Sequence, residues 1–174
     1  EVKGSASLKL VQFDDRYETI FVDKDITENI TIPLTPRGST ALLDSVGKTI
    51  ASVGEKLNAL PEEDRPNRVL FLIITDGQEN ASREFTFSAL KDKLKHQRDT
   101  YAWDFVFLGT NEDALFQGEG LGIGKTSTRG FNRDSADIRK CFMSVSDSYQ
   151  AYKTLDRSNL QSRASTFEMK PDAT

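Results

Sequence analysis

The feature that most constrains the fold is an unbroken apolar run, VLFLIIT, at residues 69–75. A run without polar alternation is typical of a parallel strand that is covered on both faces. It stops abruptly at Asp76 and Gly77. A second such run, WDFVFL at residues 103–108, ends just before Thr110 and Asn111. The two runs predict the centre of a mainly parallel sheet.

The clearest helix precedes the first of these strands. Its apolar residues recur at alternating steps of three and four and form one stripe over about five turns. The stripe consists of Leu43, Val46, Ile50, Val53, Leu57 and Leu60. Ser39 and Thr40 come just before it, and they predict a hydroxyl cap at its start. Gly47 and Gly54 lower the helix propensity, which is tolerable where they let the helix approach a sheet closely.

The remaining elements alternate in type along the chain. A hairpin is predicted from strands at residues 6–13 and 17–22, and a weak strand at residues 127–131. One further helix carries Phe87, Leu90 and Leu94. The last helix carries Ile138, Cys141, Phe142, Val145, Tyr149 and Tyr152 on one face. Strands that alternate with helices predict an α/β fold, a doubly wound and mainly parallel sheet flanked by helices.

The apolar pattern ends near residue 155, which we take as the end of the domain. Residues 156–174 contain too few apolar side chains to offset the entropy of ordering them. We therefore expect a single domain at residues 1–155. A polar C-terminal tail follows, and it is either disordered or wrapped on a partner.

Charge and cysteine content restrict the ligands and the compartment. The net charge is −4 and the sequence pI is about 5.1, so there is no basic footprint for nucleic acid. Nothing approaches the roughly eighteen consecutive apolar residues of a membrane span. The single cysteine, Cys141, cannot form an intramolecular disulfide, which favours a reducing compartment. We expect a cytoplasmic protein whose partner is neither nucleic acid nor a membrane.

Polar side chains follow several of the predicted strands. Asp14 and Asp15 follow the first strand, and Asp76 follows the central run. In open parallel sheets, ligands bind outside the carboxyl ends of the strands, an edge that the loop at Thr40 can also reach. Carboxylates and hydroxyls without His or Cys suit Mg²⁺. The alternative interpretation is that Asp76 only starts a turn and Thr40 only caps a helix.

Three segments carry a family resemblance: LVQFDD at residues 10–15, TPRGSTALLDSVGKTI at residues 35–50 and VLFLIITDGQENAS at residues 69–82. In this order they resemble the von Willebrand factor A domain, most closely the small intracellular versions found in bacteria and their phages. The resemblance covers roughly residues 5–150. It implies a protein–protein interaction module without enzymatic activity, in which a metal captures an acidic group of the partner.

The family's metal-ion-dependent adhesion site has three parts. They are an Asp-x-Ser-x-Ser loop after the first strand, a threonine in a later loop and an aspartate after the fourth strand. By this resemblance Thr40 and Asp76 match the second and third parts and would bind Mg²⁺. Ser39, Gly77 and Asn111 flank these positions and are predicted to contact the partner protein.

The first part of this adhesion site is absent. No Asp-x-Ser-x-Ser occurs in the chain, and neither does the strand that would carry it. In the family this strand lies between those corresponding to residues 6–13 and 69–75, so we expect these two not to pair. A gap there would leave two unpaired edges. Either an N-terminal segment is omitted, which we favour, or another chain supplies the strand.

Two other functions stay open at this point. One is a metal-independent scaffold or phage virion-associated domain of the same fold. The other is a metal-dependent hydrolase using Asp14, Asp15 and Asp76. This function is disfavoured because the sequence contains no nucleophile motif. A phosphate loop at residues 119–126 is rejected, because Glu119 stands where the motif needs glycine.

Overall fold

The computed structural model describes residues 5–33, 35, 38–153 and 167–169, with the backbone alone for residues 111–115. Within these ranges the chain forms strands and helices in alternation from the first helix onward, which confirms the α/β class. The strands are β1 (Ser7–Phe13), β2 (Tyr17–Asp25), β3 (Leu70–Ile74), β4 (Asp104–Thr110) and β5 (Thr128–Phe131). The α-helices are α1 (Leu42–Asn58), α2 (Phe87–Tyr101), α3 (Asn111–Gly120) and α4 (Ser135–Tyr152).

The strands form two separate sheets. The hairpin β1–β2 is antiparallel, and β3, β4 and β5 form a parallel sheet in that order. In its register Phe71 lies beside Phe105, and Phe107 beside Thr128. The prediction that β1 and β3 do not pair is confirmed. Each of these two strands has one unpaired edge in the part of the chain that the structure describes.

One face of β3 departs from the sequence prediction. Ile73 is buried, and Phe71 packs against the same core. On the opposite face Leu72 is 37% exposed and Ile74 is 39% exposed, so the prediction of a strand covered on both faces is wrong there. The apolar residues of α4 pack with residues of β4 and β5, and of β3 only Leu70 packs against this cluster.

The larger core lies between the parallel sheet and helices α1 and α2. Ile50 of α1 is almost fully buried, whereas Val53 and Leu57 are half-buried at its edge. The predicted stripe is therefore confirmed, with its strongest burial in the first half of the helix. The ring of Phe71 stacks on Trp103 with 5.5 Å between centroids. No helix in the described part of the chain is long and apolar enough to cross a membrane.

Glycines permit two close contacts between elements. A Cβ on Gly47 of α1 would lie 2.7 Å from the ring of Phe85, which follows β3 in the chain. A Cβ on Gly118 of α3 would lie 2.6 Å from Thr128 Oγ1 on β5. Glycine at 47 thus permits close packing as predicted, but its neighbour is a loop residue and not the sheet.

Two helices, α3 and α4, differ from the sequence prediction. Helix α3 was not predicted, because glycines at 118 and 120 and few apolar residues hide its period. In α4, Cys141 is buried as a small core residue, as predicted. Phe142 is 47% exposed, so its predicted place on the buried face is wrong. The buried stripe of α4 passes through Cys141, Val145 and Tyr152, which leaves Phe142 to one side.

Three residues of the predicted tail, Phe167–Met169, are among the described residues. Phe167 is fully buried, and it packs with the apolar residues of β4 and α4. Disorder or docking on a partner therefore does not describe Phe167–Met169. Residues 154–166 and 170–174 lie outside the described residues, and the division at residue 155 stays a prediction.

Candidate functional site

The end of β1 is attached to the entry of α1. The backbone oxygen of Asp14 accepts a hydrogen bond from Ala41 N at 2.7 Å. Asp14 is buried, and its Oδ1 accepts from Arg16 N at 2.6 Å. The first strand therefore delivers its carboxyl end directly beside the loop that contains Thr40.

The same loop is attached to the turn after β3. Asn80 Oδ1 accepts from Thr40 N at 2.9 Å, and Thr40 O accepts from Asn80 N at 3.0 Å. A Cβ on Gly77 would lie 3.0 Å from Thr40 Oγ1, so glycine lets the turn approach this hydroxyl. Thr40 and the Asp76-Gly77 turn, which are far apart in sequence, are thus brought together.

Helix α1 is capped by the loop after β3. Its N-cap residue is Ala41, with no side-chain cap, so the predicted hydroxyl cap from Ser39 or Thr40 is wrong. Glu79 Oε2 instead accepts from Leu43 N at 2.9 Å, and Ser82 Oγ accepts from Asp44 N at 3.0 Å. These contacts satisfy N–H groups that a helix leaves open at its start. The Thr40 hydroxyl is therefore not used as a helix cap.

Asp44 fixes the far end of this loop. Its carboxylate accepts from the backbone N–H groups of Arg83, Glu84 and Phe85 at 2.8–3.0 Å. Burial raises the pKa of Asp44, but these three hydrogen bonds and the charge of Lys48 outweigh it, and the pKa lies below its usual value. Hydrogen bonds of the Asp44 and Glu79 carboxylates thus hold α1 and the loop at residues 78–85 together.

The turn that presents Asp76 is itself fixed. Thr75 N donates to Leu108 O on the neighbouring strand at 3.0 Å. The Thr75 hydroxyl donates to Gly77 O at 3.0 Å and accepts from Gly77 N at 3.3 Å. The side chain of Asp76 is exposed. A turn held on both sides by Thr75 therefore presents this carboxylate to solvent.

A cationic side chain reaches the same turn. Arg133, in the loop between β5 and α4, donates from Nη2 to the backbone oxygen of Asp76 at 2.5 Å. Arg133 was not among the predicted site residues, because nothing local in its sequence relates it to residue 76. Its guanidinium carries further N–H donors beyond the one used here. The edge thus combines a carboxylate, a hydroxyl and a guanidinium.

The other predicted site residues lie at different places around the carboxyl edge of the sheet and the end of β1. Ser39 is half-buried in the loop before α1. Asn111 begins α3 directly after β4, at the carboxyl edge of the sheet, and its side chain lies outside the described residues. Asp15 is exposed and lies 4.0 Å from Arg16. Among the described residues, no three Asp, Glu, His or Cys side chains converge as a metal-holding group, so Asp14, Asp15 and Asp76 are not assembled as the hydrolase alternative requires.

The oxygen donors present suit Mg²⁺ in kind but supply few ligands. Thr40 contributes a hydroxyl and Asp76 a carboxylate, and both are hard oxygen ligands. Mg²⁺ commonly keeps several waters and binds through one or two carboxylates. The two residues therefore fit one part of a magnesium coordination sphere.

Comparison of the chain with protein-family models, with curated proteins and with solved structures finds no match.

Proposed function

We propose that this chain is a von Willebrand factor A-type protein-binding module that grips an acidic group of a partner protein with the help of Mg²⁺. The observation that carries the proposal is the position of the Thr40 hydroxyl. It lies close to Gly77, the residue after the exposed Asp76, and helix α1 is capped by Glu79 and Ser82 instead. A hydroxyl that is not used as a cap, next to a carboxylate on a fixed turn, is suited to metal binding.

Each residue has a distinct role in this proposal. Thr40 and Asp76 hold the cation, and a bound Mg²⁺ supplies an open coordination position for a carboxylate oxygen of the partner. Ser39, Gly77 and Asn111 border this position and contact the partner. A site of this kind binds and does not catalyse, and the acidic chain with its single cysteine is proposed to act in the cytoplasm.

Arg133 supplies a second group that can bind the acidic group of the partner. Its guanidinium is at the turn of Asp76 and forms two-pronged hydrogen bonds with carboxylates readily. A partner carboxylate at this edge therefore meets a positive charge from the protein in addition to the cation. This favours an acidic partner segment over a neutral one.

A metal-independent scaffold or virion-associated domain is the second candidate. It is favoured by the shortage of converging ligands among the described residues, where no group of three metal-binding side chains occurs. In that case Arg133 alone supplies the positive charge for the acidic partner. The two candidates differ in whether removal of Asp76 weakens or spares partner binding.

The test is a pull-down from cell lysate with the full chain, in Mg²⁺ or in chelator. Wild type is compared with Asp76→Ala, and Asp92→Ala serves as the matched control because Asp92 is an exposed aspartate on α2, away from this edge. We expect one partner to be retained by wild type and Asp92→Ala in Mg²⁺ only, and lost by Asp76→Ala. Equal retention of that partner in every condition would establish the scaffold instead.

A further inference from the structure

Asp76 and Gly77 form the one place in this sequence where an aspartate or asparagine is followed directly by glycine. The pair lies in a bend after β3, and the side chain of Asp76 is exposed. Because glycine has no Cβ, it leaves its own backbone nitrogen open to the side chain of the preceding residue. A reaction between an aspartate carboxyl group and the following backbone amide is therefore least hindered at this position.

The amide nitrogen of Gly77 is held by a long hydrogen bond. It donates to Thr75 Oγ1 at 3.3 Å, which exceeds the usual range of about 2.7–3.2 Å for such bonds. Asp25 is also exposed, but the amide that follows it, that of Ile26, donates to Ala6 O at 3.1 Å in the hairpin. The branched Cβ of Ile26 further restricts the approach to that amide. The backbone nitrogen after Asp76 is thus the freer of the two to react.

A cation lies on the same peptide bond. Arg133 Nη2 donates to Asp76 O at 2.5 Å, and this oxygen belongs to the peptide group that contains the Gly77 nitrogen. When that nitrogen loses its proton, the negative charge spreads onto the oxygen by the resonance that keeps the peptide planar. A charged hydrogen-bond donor at the oxygen stabilises this charge. Arg133 therefore makes the Gly77 nitrogen a better nucleophile.

We propose that Asp76–Gly77 is a site of self-modification, at which Asp76 is converted to isoaspartate with promotion by Arg133. The Gly77 nitrogen bonds to Asp76 Cγ and closes a five-membered succinimide ring, while the amide proton and the carboxyl hydroxyl leave as water. Water then adds to the backbone carbonyl carbon of Asp76 and breaks its bond to the Gly77 nitrogen. The main chain now runs through Cγ. The water lost in the first step is returned in the second, so the conversion needs no oxidant, reductant or cofactor.

The product changes the turn after β3. Isoaspartate places one additional methylene group in the main chain, and its free carboxylate is attached at Cα. The Thr75 hydroxyl donates to Gly77 O at 3.0 Å, and the lengthened backbone displaces this contact. The chain thus acquires a second form of the turn with time. Its formation requires neither Mg²⁺ nor a partner, so this proposal and the proposed metal site can fail independently.

The first test ages the full chain in neutral buffer at physiological temperature and samples it over several weeks. Trypsin releases residues 69–83 as one peptide, in which Asp76 is the single aspartate. The isoaspartyl form has an unchanged mass, so it is separated by chromatography and identified by labelling with an isoaspartate-specific methyltransferase. We expect it to accumulate several-fold faster than in the peptide of residues 25–37, the matched control with the exposed Asp25. Equal accumulation in the two peptides overturns the proposal.

The second test removes the cation. Arg133→Gln changes an exposed side chain, and Arg139→Gln, an exposed arginine of α4, is the matched control. In the folded chain we expect isomerisation at Asp76 to slow at least about fivefold in Arg133→Gln and to keep the wild-type rate in Arg139→Gln. In urea, where the contact with Asp76 O is lost, all three chains should isomerise at one rate. A folded Arg133→Gln chain with the wild-type rate, or a difference that persists in urea, overturns the proposal.

Discussion

Thr40 and Asn80 are joined by two hydrogen bonds, one through the Asn80 side chain and one through its backbone. The pair holds the loop before α1 against the turn after β3. Because Gly77 lies in that turn, the backbone of the turn can approach the Thr40 hydroxyl closely. The geometry of the proposed metal site therefore depends on a residue that has no direct part in binding.

Asn80→Ala should separate the two loops. It removes the acceptor for Thr40 N, and we expect the free energy of unfolding to fall by about 1 kcal/mol, measured by urea denaturation. Mg²⁺-dependent partner capture should weaken as well. Asn80→Asp keeps an oxygen at the same position and should stay closer to wild type. An alanine variant with the stability and the Mg²⁺-dependent partner capture of wild type would contradict this role.

Gly47→Ala and Gly54→Ala form a matched pair in one helix. Alanine favours a helix by about 1 kcal/mol over glycine at both positions. At 47 the new methyl group meets the Phe85 ring at 2.7 Å, so we expect a net loss of about 1–3 kcal/mol. At 54 the nearest atom lies 4.0 Å away on Trp103, and we expect a gain. Thermal unfolding of both variants checks the pair, and equal effects would exclude the Phe85 contact as the cause.

Asp44 should make the free energy of unfolding depend on pH in the acidic range. Its folded pKa lies below the unfolded value of about 3.9, so its contribution is complete above that value and is lost as the pH falls through the folded pKa. We expect wild type to exceed Asp44→Asn by about 1.5–3 kcal/mol at neutral pH. Urea denaturation from pH 7 down to pH 3 should show this difference shrinking below about pH 4. A constant difference would exclude the charged form as its source.

Ile50→Ala should remove a central contact of the core. Ile50 is 1% exposed, and we expect a loss of about 2–5 kcal/mol in the free energy of unfolding. Val53 is half-buried on the same stripe, so Val53→Ala should be milder. A loss below about 1 kcal/mol at Ile50 would show that the stripe does not face the sheet.

Local periodicity was enough to predict the main elements. The stripe through Val46 and Ile50 repeats at the helical period, and the run at residues 69–75 has no polar interruption. The expectation that the loop at Thr40 reaches the carboxyl edge of the parallel sheet agrees with the position of its hydroxyl close to Gly77, just after β3. These signals lie within single segments or follow from a general property of parallel sheets.

Contacts between distant segments could not be predicted in the same way. The Glu79 carboxylate caps a helix that begins 37 residues earlier, and Asp44 binds N–H groups about 40 residues later. Neither contact has a local motif. Phe167 is a single aromatic residue in a mainly polar segment, so only the fold reveals that it is buried. The exposure of Leu72 depends on which helix covers the strand, a property that its own sequence does not encode.

The most direct measurement of the proposed metal site uses Mn²⁺, which prefers the same oxygen ligands as Mg²⁺ and broadens nearby NMR signals. In the isotopically labelled full chain, small additions of Mn²⁺ should broaden the amide signals of Thr40 and Gly77 first. Asp76→Ala should remove this effect, and Asp92→Ala should keep it. Broadening at Thr40 and Gly77 that persists in Asp76→Ala, or that is no stronger than at other exposed carboxylates, would contradict the metal site.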